Sequence, residues 1–114
     1  MAQQIRMPNG TLAETGAVKA VTHAAVAVAE NVSTDVLAAD AARCYALLIN
    51  DSDADIYLAI DGDAAALNAG IVLKADGGFY EMSGAFGNLT TAKLTAIHGG
   101  TGEKRLLVTS GTGV

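Results

Sequence analysis

The sequence predicts an all-β fold: a seven- to eight-stranded antiparallel sandwich or jelly-roll-like compact barrel with an extended N-terminal arm. Short apolar runs alternate with acidic or glycine-containing turns between residues 43 and 82, which is typical of antiparallel strands. Turn signals recur at short, regular intervals, and no repeat of long period is visible. A length of 114 residues suits one domain. We therefore expect an arm at residues 1–15 and a single β-sandwich domain at residues 16–114.

Composition and charge argue against several classes of partner. The net charge is −5, and the seven lysine and arginine residues form no basic stripe, so we expect no nucleic-acid partner. The single cysteine, Cys44, cannot form an intramolecular disulfide. Its apolar surroundings favour a buried, unreactive thiol over the alternative, an exposed and reactive one. No apolar run reaches the ~18 residues of a membrane span, and the first residues lack the apolar core of a signal peptide. We expect synthesis in the cytoplasm and no membrane association.

The first 15 residues combine polar positions with isolated apolar ones. The pair Asn9-Gly10 favours a turn, and Ile5, Met7 and Leu12 are spaced apolar anchors. A segment of this kind is either disordered or ordered by docking onto a neighbouring molecule. Because the anchors favour docking, Ile5, Met7 and Leu12 are predicted partner-binding residues.

Residues 16–32 fit two kinds of secondary structure. Val21, Ala24 and Val28 have helical spacing, whereas Ala24, Val26 and Val28 fit the alternation of a strand. Alanine favours helix, and valine and threonine favour strand. We predict a strand, because the downstream sequence is typical of β structure and sequence neighbours usually pair. A second short strand is predicted at residues 35–39.

The clearest strands lie in the middle of the chain. Residues 44–49 alternate, and Ile56, Leu58 and Ile60 share one face of the next run. The polar turn between the two runs predicts a hairpin with both faces largely covered, as in a sandwich. The "AAALNAG" segment is predicted to form either a helical turn or an irregular loop.

Residues 71–75, "IVLKA", predict another strand, and the rest of the chain predicts three more. Asp76-Gly77-Gly78 predicts a tight hairpin turn, and a glycine-rich turn at residues 99–102 leads into the final strand. We expect Tyr57, Phe79 and Tyr80 in or beside the core. The predicted strands have the sequences "FYEM", "LTTAKLTAIH" and "KRLLVTS".

The acidic turn Asp51, Asp53 and Asp55 begins like a calcium loop. An EF-hand requires glycine at the sixth position of the loop and glutamate at the twelfth, and those positions hold Ile56 and Gly62. The EF-hand pattern therefore fails. A cation held between loops and a solvated turn whose side chains bond the local backbone both remain open, and the second is the favoured interpretation.

Other candidate sites are weak. "GGTGEK" lacks the glycine-lysine pair of a phosphate loop and precedes a strand rather than a helix. Ser83, His98 and Asp76 could form a hydrolase triad only on paper, because no nucleophile elbow is present. His23 and His98 are expected to be ordinary hydrogen-bonded residues. We predict no catalytic residue, metal site or cofactor.

Phe86 lies in a corner of small residues, "SGAFGN". An aromatic side chain in such a corner is either an interface anchor or a core residue at a strand crossover. We include Phe86 among the predicted partner-binding residues.

The motifs "RCYALLINDSDADIYLAID", "GIVLKADGGFYEM" and "LTAIH" followed by "RLLVT" resemble small β-sandwich structural proteins of tailed bacteriophages. The resemblance covers about residues 35–110. It implies a non-enzymatic structural protein of the virion, made in the host cytoplasm. The leading interpretation is a capsid decoration (cement) protein that stabilises the head by bridging copies of the major capsid protein, and a homotrimer is implied. The alternatives are a neck or tail accessory protein, or a surface carbohydrate-binding module.

Overall fold

Backbone pairing gathers eight strands into two four-stranded antiparallel sheets. A computed structural model of the chain describes residues 3–6, 12–15 and 18–113, with side chains from residue 18 onwards. The strands are β1 (Gln3–Arg6), β2 (Leu12–Thr15), β3 (Val18–Val28), β4 (Thr34–Leu37), β5 (Arg43–Asn50), β6 (Ile56–Ala59), β7 (Ile71–Leu73), β8 (Phe79–Ser83), β9 (Leu94–Ile97) and β10 (Lys104–Gly113). One sheet, which we call the β3 sheet, has the strand order β3-β10-β5-β8, and the other, the β4 sheet, has the order β4-β9-β6-β7.

The pairing of these strands is nested. β3 pairs with β10, β4 with β9, β5 with β8, and β6 with β7, so the chain pairs from its outer strands inward. Additional pairing of β10 with β5 and of β9 with β6 completes the two sheets. This is the strand arrangement of a jelly roll. The predicted fold class is confirmed.

Two predicted hairpins are wrong. β5 and β6 lie in opposite sheets, and the turn at residues 76–78 joins β7 of one sheet to β8 of the other. Alternation shows that a strand buries one face, but it does not show which strand lies beside it. The irregular segment at residues 60–70 instead connects two strands that do pair, β6 and β7.

All eight strands contribute to one hydrophobic core between the sheets. Within the ambiguous segment at residues 16–32, Val18–Val28 form β3, in agreement with the predicted strand. No helix within residues 18–113 is long and apolar enough to cross a membrane. Tyr80 packs at the edge of the core, but Phe79 is 65% exposed, so its predicted core position is wrong. The core residues are aliphatic apart from Met82: Val28, Val36, Ala46, Leu48, Ile56, Leu58, Leu73, Met82, Leu94, Ala96, Leu106 and Val108.

The predicted arm contains an antiparallel pair of strands, β1 and β2. Ile5 pairs with Ala13, and Arg6 pairs with Leu12. Ile5 and Leu12 therefore lie one register step apart on neighbouring strands. Met7 and the Asn9-Gly10 turn lie outside the described residues.

Candidate docking surface

The outward face of the β3 sheet carries a row of apolar side chains that crosses all four strands. Leu107 on β10 is in register with Ala25 on β3 and with Ile49 on β5, and Ile49 is in register with Phe79 on β8. We call these four residues the apolar row. Their neighbours Leu106, Val108 and Leu48 are buried in the core, so alternation turns the row outward.

The apolar row is largely accessible to solvent. Phe79 is 65% exposed and Leu107 is 37% exposed, while Ile49 is half-buried by its cross-strand neighbours. An accessible apolar patch on a sheet face is typical of an interaction surface. The sequence contained a sign of this surface, because residues 44–49 are apolar on both faces of the strand.

Polar side chains beside the apolar row bond to one another. His23 Nδ1 lies 2.9 Å from Thr109 Oγ1. The Tyr45 hydroxyl donates a hydrogen bond to a carboxylate oxygen of Glu81, and this bond raises the pKa of Tyr45. These partners lie across neighbouring strands, so the polar side chains that border the apolar row are hydrogen-bonded within the sheet.

Phe86 lies in the connection between β8 and β9 and is 63% exposed. Its backbone N–H donates to Ser83 Oγ at 3.2 Å, which fixes the start of the corner. Its ring is therefore a surface group, separate from the apolar row. The role of Ile5, Met7, Leu12 and Phe86 in partner binding stays a prediction.

Each carboxylate of the acidic turn bonds to a different cation of the protein. Asp51 accepts from Arg105 Nε at 2.8 Å, and Asp53 accepts from Lys104 Nζ at 2.7 Å. Asp55 accepts from Lys74 Nζ at 3.0 Å and from the N–H of Ala75 at 2.9 Å. Within residues 18–113 no group of three or more acidic, histidine or cysteine side chains is arranged to hold a metal ion. The turn therefore ties its loop to β10 and to the β7–β8 turn.

These bonds change the acidity of two of the carboxyls. The hydrogen bond and charge of Lys104 lower the pKa of Asp53. The Ala75 N–H is the main cause of the lowered pKa of Asp55, followed by Lys74. The ionised forms are therefore favoured by the folded structure.

Asn50, at the end of β5, joins this strand to three other segments: the acidic turn, β7 and the β7–β8 turn. Its Nδ2 donates to the carbonyls of Ala54 and Leu73, at 2.7 and 2.9 Å, and its Oδ1 accepts from Ser52 Oγ at 2.6 Å. Its backbone N–H and C=O bond to the β7–β8 turn at Gly78 and Gly77. The side chain is fully buried. In the sequence, Asn50 is only the first residue of the polar turn after residues 44–49, and its position directly after an apolar run is the one signal of this role.

Arg43, at the start of β5, holds the opposite end of that strand in place. Its buried guanidinium donates to the carbonyls of Thr90, Ala92 and Ala38, at 2.8, 2.9 and 2.5 Å. Burial lowers the pKa of Arg43, and the nearby charge of Asp40 raises it in part. The sequence does not indicate this role, because the three acceptors are main-chain atoms and two of them, at Thr90 and Ala92, lie 47 and 49 residues away.

The two nitrogens of His98 bond to the backbone. Nε2 lies 3.0 Å from the carbonyl oxygen of Val28, and Nδ1 lies 3.0 Å from the backbone nitrogen of Gly100. A carbonyl only accepts and an N–H only donates, so these partners require the tautomer protonated at Nε2. Both ring nitrogens are thus used to join β9 to β3 and to the following loop. The interpretation of His98 as an ordinary hydrogen-bonded residue is confirmed.

The hydrogen bonds of Ser83 and His98 do not support a catalytic triad with Asp76. Ser83 Oγ accepts from the backbone N–H of Phe86, and both nitrogens of the His98 ring bond to backbone groups. The glycine-rich loop is also engaged internally, because the Gly102 N–H donates to Glu30 Oε1 at 2.6 Å. The polar groups of these loops therefore hold the fold together.

No protein-family model matches the chain, and no curated protein or solved structure matches it either.

Proposed function

We propose that the chain is a non-enzymatic structural protein of a tailed-phage virion, and that it binds the outside of the head as a capsid decoration protein. The observation that carries this proposal is the apolar row on the exposed face of the β3 sheet. Aromatic and aliphatic anchors surrounded by polar groups are the parts of an interface that contribute most free energy. The resemblance of residues 35–110 to small phage structural proteins supplies the choice of partner.

The loop chemistry supports a mechanical role. The acidic turn, Asn50, Arg43 and His98 all direct their polar atoms to other parts of the same chain. These contacts hold the two sheets and their turns in one arrangement. A rigid domain loses little conformational entropy when it docks, so more of its contact free energy stabilises the complex.

Stabilisation of the head then follows from preferential binding. A protein that binds the assembled shell better than the free subunits shifts the equilibrium toward the shell. We further propose that the protein acts as a homotrimer, because three linked copies raise avidity without strong single contacts. The arm at residues 1–15 would add a strand to an exposed sheet edge of a neighbour.

Co-sedimentation with purified heads and tails of the phage that encodes the chain tests the proposal. We expect the full chain to sediment with heads, and we expect Phe79→Ser to weaken that binding by tenfold or more, as for an interface anchor. Val72→Ser is the matched control, because Val72 is 45% exposed on the other sheet. Deletion of residues 1–15 tests the arm, and Phe86→Ser tests the corner.

The possible outcomes separate the competing roles. Binding to tails and not to heads would favour a neck or tail accessory protein. A full-length, folded chain that sediments with neither particle would overturn the proposal. Equal binding by Phe79→Ser and the unmodified chain would show that the apolar row is not the docking surface.

A further inference from the structure

β3 is a long edge strand with one edge paired. It pairs with β10 along its length, and within the described residues no other strand pairs with it. The eight residues Val18–Ala25 are exposed, including both alternating faces of the strand. The free edge therefore presents backbone N–H and C=O groups together with accessible side chains.

This edge lacks the features that usually prevent pairing with another chain. Natural edge strands are protected by charges, proline, bulges or short length. β3 has 11 residues, no proline and one charged residue, Lys19. Its register with β10 is regular from Ala20 to Val28, and the irregularity is confined to its first residues. The strand is thus a continuous template for a further strand.

We propose that β3 pairs antiparallel with β3 of a second copy of this chain, around a two-fold axis at Thr22. The two β3 sheets would then form one continuous eight-stranded sheet. The exposed segment spans about 27 Å at the usual rise of ~3.4 Å per residue. This inference concerns self-association and does not depend on the proposed role in a virion.

Charge favours a second copy as the occupant of this edge. The chain carries a net charge of −5, which opposes the approach of two copies at most of the surface. β3 contains no acidic residue, and its Lys19 lies near one end. A β3–β3 contact therefore opposes no carboxylates of the paired strands, whereas the edge strands β4 and β8 carry Asp35 and Glu81.

The side chains of β3 are also complementary to themselves. With Thr22 facing Thr22 of the second copy, Ala20 faces Ala24, Val21 faces His23 and Lys19 faces Ala25. No two lysines are opposed in this register. Threonine pairs across antiparallel strands are favourable, and small alanine side chains let the backbones approach closely. An isologous contact of this kind closes with two-fold symmetry.

The mass of the full chain in solution, measured over a range of concentrations, tests the inference. We expect a dimer, or a hexamer if the proposed homotrimer also forms. Val21→Lys should raise the dissociation constant of the dimer about tenfold or more, because charge on an edge strand opposes pairing. Val72→Lys is the matched control, because Val72 lies on β7, an edge strand of the β4 sheet. Val21 and Val72 have similar exposed fractions, 54% and 45%.

A thiol crosslink gives a second measurement that does not depend on weakening the contact. Thr22→Cys should be joined to itself by a short bismaleimide to give a covalent dimer, whereas Val72→Cys and the unmodified chain should not. A monomer or a trimer at every concentration would overturn the inference. Equal effects of Val21→Lys and Val72→Lys, or no crosslink in Thr22→Cys, would also overturn it. A dimer that sediments with neither heads nor tails would leave the inference standing and refute the virion role.

Discussion

Replacing Asn50 is expected to weaken the fold at the point where four segments meet. In Asn50→Ala the carbonyl of Leu73 loses its side-chain donor, whereas the carbonyl of Ala54 keeps a hydrogen bond from Ser52 Oγ at 3.1 Å. One buried acceptor left unpaired costs about 1–3 kcal/mol, and a second lost hydrogen bond costs about 1 kcal/mol. We expect the free energy of unfolding to fall by about 3 kcal/mol.

Asn50→Asp separates hydrogen bonding from side-chain volume. The variant keeps the shape of Asn50 but directs carboxylate oxygens at the acceptors Ala54 O and Leu73 O. Burial and the facing carbonyls disfavour the ionised form, so the pKa of the new carboxyl in the folded protein is raised above its unfolded value of about 3.9. The variant is therefore least destabilised below about pH 4. It loses about 1.4 kcal/mol of stability per pH unit above that value, until the folded pKa is passed.

Urea unfolding at pH 4 and pH 7 measures both effects. Asn31→Asp is the control, because Asn31 is exposed and its left-handed backbone (φ 55°) is one that asparagine and aspartate both tolerate. We expect this replacement to change stability by less than about 1 kcal/mol. The reasoning would be refuted by an Asn50→Asp variant as stable as the control at pH 7. It would also be refuted if the loss of stability in Asn50→Asp were the same at both pH values.

Three further predictions concern the turns and loops around the sandwich. Arg43→Lys should lower the free energy of unfolding by about 2–4 kcal/mol in urea titrations, because an ammonium cannot reach all three carbonyls held by the guanidinium. Asp55→Asn should reduce the loss of stability on acidification: the lowered pKa of Asp55 contributes stability above its unfolded pKa of about 3.9, and that contribution is lost as pH falls through the folded pKa. A variant with the same pH dependence as the unmodified chain would contradict this. Gly78→Ala should lower the melting temperature, because the added Cβ would lie 2.3 Å from the backbone nitrogen of Lys74. Gly84→Ala is the control and should leave the melting temperature unchanged, because its Cβ would meet no atom within 4 Å.

The sequence by itself determined the class of fold and most strand positions. Alternation in residues 44–49 and 56–60 marks strands because successive side chains point to opposite faces. At residues 16–32 periodicity fitted both helix and strand, and the β character of the downstream sequence favoured the strand. It also left β5 apolar on both faces, which is the sign of a covered or interacting outer surface.

Tertiary structure alone decided which strands are neighbours and what the polar residues do. β5 and β6 are adjacent in sequence yet lie in opposite sheets, because pairing depends on how the whole chain wraps around its core. The sequence left the acidic turn open to a metal ion or to cations of the protein. In the folded chain its carboxylates pair with Lys104 and Arg105 on β10 and with Lys74, which follows β7. Arg43 is likewise defined by backbone carbonyls, which carry no side-chain identity in the sequence.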